Sequence, residues 1–397
     1  MTKPSLLNYG RHLIDEEDIK AVSAVLRGDL ITQGPVVEHF EKAIANKVGA
    51  KHAVAVTSGT AALHLACLAT NTNAKFFGLT SALTFVASIN SMLYSGINTD
   101  LCDIDSDSLC MSPIALKTAL EKHPDTKIII PVHFAGLAGH SKEIRNLAKD
   151  KIIIEDASHS LGSNYSCGRP VGCGAYADMT VFSFHPVKPI TTGEGGVIVT
   201  NNSQFAKRLK ILRTHGIEKD PDLFENIVEG FENLEPRTWY YEQQHLGFNY
   251  RMTDIQAALG LSQLSKIDQF INRRRAIASQ YDTIFSNLDN IIRPQSSPKS
   301  LARSGHHLYI LEFDFKKLNL SRMDIMKKLK AHNIGSQVHY IPIYKHPYHA
   351  RKLNVTVDDF QATEEYYQKC LSIPLYPSMS DQDVDRVSNA IKEIVAS

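Results

Sequence analysis

Between residues 52 and 200, short runs of β-branched and apolar residues alternate with stretches whose apolar positions recur at helical spacing. That alternation predicts a mostly parallel central sheet covered by helices. Strands are predicted over His52 to Val56, Lys75 to Leu79, Thr99 to Ile104, Lys127 to Val132, Lys151 to Glu155, Met179 to Phe184 and Gly196 to Thr200. Helices are predicted over Thr60 to Ala69, Phe85 to Tyr94, Pro113 to Lys122 and Ser141 to Lys149, each long enough to cross over a sheet. The stretch from Glu218 to Gln244 is polar, carries Pro221 and Pro236 and holds no period, which predicts a long excursion.

A helix restarts after it. Thr253 followed by Gln256 fits a capping box, and Ile255, Ala258, Leu259 and Leu264 then form one apolar face. The remainder changes character: a long helix over Asp268 to Leu288, strands over Leu308 to Phe313 and Ser336 to Ile341, and helices near Arg322 to His332 and Gln382 to Val395. The fold class expected is α/β, with a large domain over 1–256 and a smaller α+β domain over 257–397. A chain of 397 residues is long for one core, which fits two.

Charge removes several partner classes from the picture. Lys and Arg total 43 against 42 Asp and Glu, with no block of one sign, so neither nucleic acid nor a polybasic membrane contact is expected. No stretch approaches a bilayer span and no basic-then-apolar leader opens the chain, so a cytoplasmic protein is expected. Cys67, Cys102, Cys110, Cys167, Cys173 and Cys370 are scattered without metal-ligand spacing, which predicts free thiols, no disulfide framework and no metal site.

Three segments carry candidate chemistry. The strand ending at Val56 runs through Thr57-Ser58-Gly59-Thr60 into a helix, which gathers N–H groups and hydroxyls where a phosphate can sit; the same pattern also serves as a plain N-cap turn. Asp156 follows a parallel strand at its carboxyl end, where a carboxylate can keep a pyridine nitrogen protonated or merely cap a turn. Lys188 sits between a strand and the turn Thr191-Thr192-Gly193-Glu194-Gly195-Gly196. A lysine desolvated there is nucleophilic toward an aldehyde, whereas a solvated loop lysine is not.

The strings TSGTAALHLA (Thr57 to Ala66), EDASHSLG (Glu155 to Gly162) and SFHPVKPITTGEGG (Ser183 to Gly196) together resemble the DegT/DnrJ/EryC1/StrS family of sugar aminotransferases. ITQGP (Ile31 to Pro35), LTFVAS (Leu83 to Ser88), LGFNYRMTDIQAALG (Leu246 to Gly260) and VHYIPIY (Val338 to Tyr344) extend the match over nearly the whole chain. The resemblance implies fold type I of the pyridoxal 5'-phosphate (PLP) transferases, like aspartate aminotransferase, and a homodimer with active sites at the subunit interface. It implies that Lys188 forms the Schiff base, that Asp156 partners the pyridine nitrogen and that His159 lies beside the phenolic oxygen. Ser58, Gly59, Thr60 and Ser183 match the phosphate cradle, and Phe85 the aromatic covering the ring, with a core aromatic as the alternative. Asn249 and Arg251 resemble residues reaching phosphate and substrate from the neighbouring subunit, with a surface ion pair as the alternative for Arg251. His339, Tyr340 and Tyr344 match positions that touch the sugar nucleotide, or else pack between the domains.

Relatives that dehydrate sugars replace the lysine with histidine; Lys188 is kept here, which argues for amination. The partners implied are L-glutamate as donor and a UDP-linked 4-keto-6-deoxy sugar as acceptor, with a D-configured UDP- or dTDP-4-keto sugar as the rival. A reading of another class is a non-catalytic regulator or assembly partner on the PLP fold. It is opposed by the intact Lys188 and Asp156.

Overall fold

The computed structural model describes residues 5–286, 288 and 303–396. Two helices open the chain, α1 (Glu16–Leu26) and α2 (Pro35–Val48). Asp15 caps α1 through a capping box, while α2 begins at Gly34 and Pro35 with no cap of its own. Its cap comes from far along the chain: the carboxylate of buried Asp254 accepts the N–H groups of Gly34 (2.8 Å), Val36 (2.9 Å) and Val37 (3.3 Å).

The central sheet has seven strands: β1 (His52–Val56), β2 (Phe77–Ser81), β3 (Asn98–Cys102), β4 (Thr126–Ile130), β5 (Ile152–Asp156), β6 (Met179–Ser183) and β7 (Gly196–Thr200). Their spatial order is β1-β7-β6-β5-β4-β2-β3, parallel from β6 through β3, with β7 antiparallel to both β1 and β6. The seven strands expected between residues 52 and 200 are all present, two with the expected bounds and five shifted by one or two residues at their ends.

Alternation along the strands sends side chains to two cores. Ala53, Ala55, Phe182, Val197 and Val199 face the cluster around Phe40 and Phe184. Val54, Val56, Val181 and Ile198 face the cluster with α3 (Gly59–Ala69), where Ile128, Ile130 and Ile154 also lie. Both faces are covered, which is why these strands read as continuous apolar runs. Helices α4 (Val86–Tyr94) and α7 (Ser203–Arg213) join α3 on its face, while α5 (Pro113–Lys122) and α6 (Ser141–Leu147) pack with Leu79, Ile129 and Ile153 on the other.

The excursion expected from Glu218 is present and closes at its base, where Ile217–Glu218 pairs with Glu242–Gln243; a second short ladder joins Phe231–Glu232 to Glu235–Pro236. Thr253 then starts the helix Asp254–Ser265 with the predicted capping box. Helix Ile267–Phe285 follows, its first half packed on the Phe40 cluster and its second half, from Ile277, on another cluster. That second cluster gathers the strand pair Tyr309–Glu312 and Cys370–Ile373 with helices Arg322–Ala331 and Asp381–Ala396.

One expected strand is not formed. Over Ser336 to Ile341 only Gln337 makes a ladder contact, with Ser372, and the chain bends at His339. The strand actually paired with Tyr309–Glu312 is Cys370–Ile373, which leaves His339 and Tyr340 free to turn toward the large sheet. No helix among the described residues is long and apolar enough to cross a membrane.

Candidate active site

Parallel strands deliver their carboxyl ends to one edge, and here that edge opens into a cavity of about 420 Å³. Each contributing segment arrives just after a strand: Ser58 to Thr60 after β1, Thr84 and Phe85 after β2, Val132 after β4, Asp156 at the end of β5 and Ser183 at the end of β6. Lys188, His159, His339 and Tyr340 line the same space. Ten of the residues singled out in sequence therefore converge: Ser58, Gly59, Thr60, Phe85, Asp156, His159, Ser183, Lys188, His339 and Tyr340.

The cradle is built on the N-terminus of α3. Ser58 is its N-cap, with Oγ accepting the Ala61 N–H at 3.1 Å, so the N–H groups of Gly59 and Thr60 have no partner within the helix. Glycine at 59 is a packing requirement, since a Cβ there lies 2.9 Å from the Ser183 Cβ; at Gly196 it lies 2.4 Å from the Ser58 carbonyl oxygen. The helix end and Ser183 thus meet over two glycines, at a spot suited to an anion.

Asp156 is buried, yet no cation lies within ion-pair distance of it among the described residues. Hydroxyls hold it instead: Ser88 donates to Oδ2 at 2.7 Å and Ser158 to Oδ1 at 2.6 Å. A buried carboxylate so placed invites a cationic partner from a ligand. Lys188 stands half-buried across the cavity. Withdrawal from water pushes its amine down to about 8, against the opposing pull of the Asp156 charge.

His159 is fixed on both sides. The Ala135 N–H donates to its Nδ1 at 3.2 Å, which places the ring proton on Nε2, 3.1 Å from the Tyr340 hydroxyl. Burial first, and then the charges of Lys188 and His339, hold its imidazole well below the usual value, so it is neutral. Burial likewise pushes His339 down to about 3, and its Nδ1 lies 2.8 Å from the Ser372 hydroxyl. Phe85 is 55% exposed at the N-cap of α4, its ring 5.9 Å from that of Tyr340, which leaves a ring face free for a planar ligand.

Three residues lie elsewhere. Tyr344 is buried away from the cavity: it stacks on Phe360 at 4.5 Å and donates to Glu364 at 2.6 Å, an account in packing terms. Asn249 is exposed opposite Thr214, and Arg251 is half-buried opposite Val56, outside the cavity of their own chain. Residues absent from the sequence-based candidates also line the cavity, among them Tyr9, His185 and His307. Ser88 was visible only as the last letter of LTFVAS; its place three residues beyond Phe85, one helical turn along, is the signal that it shares the face turned to the site.

A phosphate-sized cradle, a carboxylate without a cation and a lysine of depressed basicity, arranged at the carboxyl edge of a mostly parallel sheet, define a transferase that works through an aldehyde cofactor with a phosphate tail. The family model of the DegT/DnrJ/EryC1/StrS aminotransferase family matches residues 12–392, and the chain belongs to that family. Among relatives it is 37% identical to spore coat polysaccharide biosynthesis protein SpsC of Bacillus subtilis, over 98% of this chain and 97% of that one. It is 35% identical to the UDP-4-amino-4,6-dideoxy-N-acetyl-β-L-altrosamine transaminase of Campylobacter jejuni, over 98% of both. Among solved structures, Helicobacter pylori PseC, described as an aminotransferase involved in the biosynthesis of pseudoaminic acid, superposes with a TM-score of 0.88 at 30% identity, covering 99% of this chain and all of that one. The PLP form of the sugar aminotransferase Spr1654 from Streptococcus pneumoniae superposes with a TM-score of 0.86 at 26% identity, covering 98% of this chain and 99% of that one. The protein is an aminotransferase of fold type I, and its cofactor is PLP.

Proposed function

We propose that the protein transfers the amino group of L-glutamate to C4 of a UDP-linked 4-keto-6-deoxy sugar, UDP-2-acetamido-2,6-dideoxy-β-L-arabino-hex-4-ulose, in pseudaminic acid biosynthesis. The observation that carries this reading is that a full-length relative, from Campylobacter, is named a transaminase of UDP-4-amino-4,6-dideoxy-N-acetyl-β-L-altrosamine and a full-length structural neighbour, from Helicobacter, is described as an aminotransferase of pseudoaminic acid biosynthesis. We further propose a homodimer acting in the cytoplasm, with Asn249 and Arg251 serving the neighbour's site; what supports this is that both lie outside their own cavity, Asn249 exposed and Arg251 half-buried.

When bound, PLP supplies a protonated ring that accepts the electron pair left as a carbon gives up its proton. The residues have separate tasks. Ser58, Gly59, Thr60 and Ser183 hold the phosphate; Asp156, oriented by Ser88 and Ser158, keeps the ring nitrogen protonated. Phe85 covers one ring face, and the Nε2–H of His159 serves as a donor at the cavity wall. The amine of Lys188, partly neutral near physiological pH, would carry a proton from the α-carbon of the donor to the cofactor carbon that takes up the amino group, and in the second half-reaction would carry one from that carbon to C4 of the acceptor. His339 and Tyr340 face the acceptor.

The test is to offer glutamate with a panel of UDP- and dTDP-linked 4-keto sugars and to follow product mass and stereochemistry. Fastest turnover is expected with the L-configured UDP sugar. A preference for a D-configured sugar of the bacillosamine or perosamine type overturns that assignment. The similarity to the Bacillus spore coat protein, whose name specifies no sugar, favours keeping that second reading in the panel. Lys188→Ala is expected to abolish transamination with the fold intact, whereas wild-type turnover in that variant contradicts the role given to the lysine.

A further inference from the structure

His307 has no role in the account so far, yet it is only 4% exposed and lines the same cavity as Lys188 and Asp156. Its ring lies 4.2 Å from that of His159, centroid to centroid. The two histidines hang from one residue. Ala135, at φ 55°, donates its N–H to His159 Nδ1 at 3.2 Å, and its carbonyl accepts the His307 N–H at 2.9 Å.

Behind His307 stands Arg274, 1% exposed. Its Nη1 donates to the carbonyls of His306 (3.3 Å), His307 (3.3 Å) and Leu375 (2.9 Å). No carboxylate lies within ion-pair distance of the guanidinium among the described residues. A buried cation without a counter-charge is costly, and an apolar residue of similar bulk avoids that cost. What the apolar residue loses is the grip on three carbonyls from two separate segments. That grip fixes the backbone on which His307 is mounted.

The constraint matters because His159 could otherwise turn. Rotating its ring by half a turn removes the acceptor from the Ala135 N–H and leaves a buried donor unpaired, and a loosened ring also loses the Nε2 contact with Tyr340. We propose that His307 is a positioning residue: anchored by Arg274, its ring is the wall that holds the His159 imidazole in one orientation, Nδ1 toward Ala135 and Nε2–H toward Tyr340 and the cavity. This deepens the reading of the cavity as the cofactor site, but the wall itself exists without cofactor.

The test uses the full chain, cofactor-free, with ¹⁵N-labelled histidine, and assigns His159 by difference against His159→Gln. The wild type is expected to show one His159 tautomer, protonated at Nε2 alone. His307→Ala should give split or averaged His159 signals, and in the PLP-loaded protein a kcat lower by on the order of tenfold to a hundredfold. His307→Phe, which restores a flat ring without nitrogens, should recover the single tautomer and most of kcat. Unchanged His159 signals in the alanine variant overturn the proposal, as does a phenylalanine variant no better than alanine. If His307→Ala does not fold, Arg274→Lys carries the test: it keeps the charge but not the three-way grip, so disturbed His159 signals are expected and undisturbed ones contradict it. Because the NMR readout needs no cofactor, its outcome is separate from the fate of the cofactor assignment.

Discussion

At the scale of single residues, the chemistry rests on groups whose surroundings move them away from their behaviour in water. The Lys188 amine, lowered to about 8 by its withdrawal from solvent, gives a pH prediction. In cofactor-free protein its modification by an amine-directed aldehyde should rise to half-maximum near that pH, well below the range of a solvated lysine; a midpoint of an ordinary lysine contradicts the burial argument. The linkage has a definite sign. Between about 8 and the unfolded value, the unfolded chain still binds the proton that the folded lysine has shed. This group's contribution to stability therefore rises with pH through that window, and its burial penalty is complete below it. Asp156 offers a second check: Ser88→Ala removes the donor to Oδ2 and should weaken PLP binding by about 1 kcal/mol, measured by spectroscopic titration, with the fold unchanged. Lys188 and Asp156 stood out in the sequence beside recognisable strands, but the roles proposed for them came from the family resemblance. Ser88, His307 and Arg274 were not, since their roles arise from contacts such as that between residues 274 and 375, which no local pattern encodes.

At the scale of elements, period and capping foretold most of what forms. The seven strands of the large sheet and the Thr253 capping box are where the apolar runs and the Thr-x-x-Gln spacing put them. Ser336 to Ile341 shows the limit: its residues suit a strand, but only Gln337 bridges Ser372 beside Cys370–Ile373, and the ladder goes no further. The cap of α2 shows another, because Asp254 acts 220 positions away from Gly34. Helix α3 and strand β7 meet so closely that Gly196→Ala, with its Cβ directed at the Ser58 carbonyl, should destabilise the protein by about 1–3 kcal/mol in a denaturant melt and weaken phosphate binding together with it. Loss of stability with cofactor affinity untouched would separate the turn from the cradle.

At the scale of the molecule, the sheet's carboxyl edge and the segment carrying His339 and Tyr340 close one cavity, while Asn249 and Arg251 remain outside it. The proposed homodimer gives those two residues a site to serve. Mixing Lys188→Ala with Asn249→Ala chains should then regain activity, since one site of a mixed pair holds both an intact lysine and an intact asparagine; no recovery on subunit exchange contradicts a shared site. This layout was legible only through resemblance, because nothing in periodicity or spacing tells which chain a side chain serves.

The central claim is that Lys188 carries the cofactor, and its most direct measurement is borohydride reduction of the PLP-loaded protein followed by peptide mapping. The account predicts a single pyridoxyl label, on Lys188; a label on another lysine, or none at all, contradicts it.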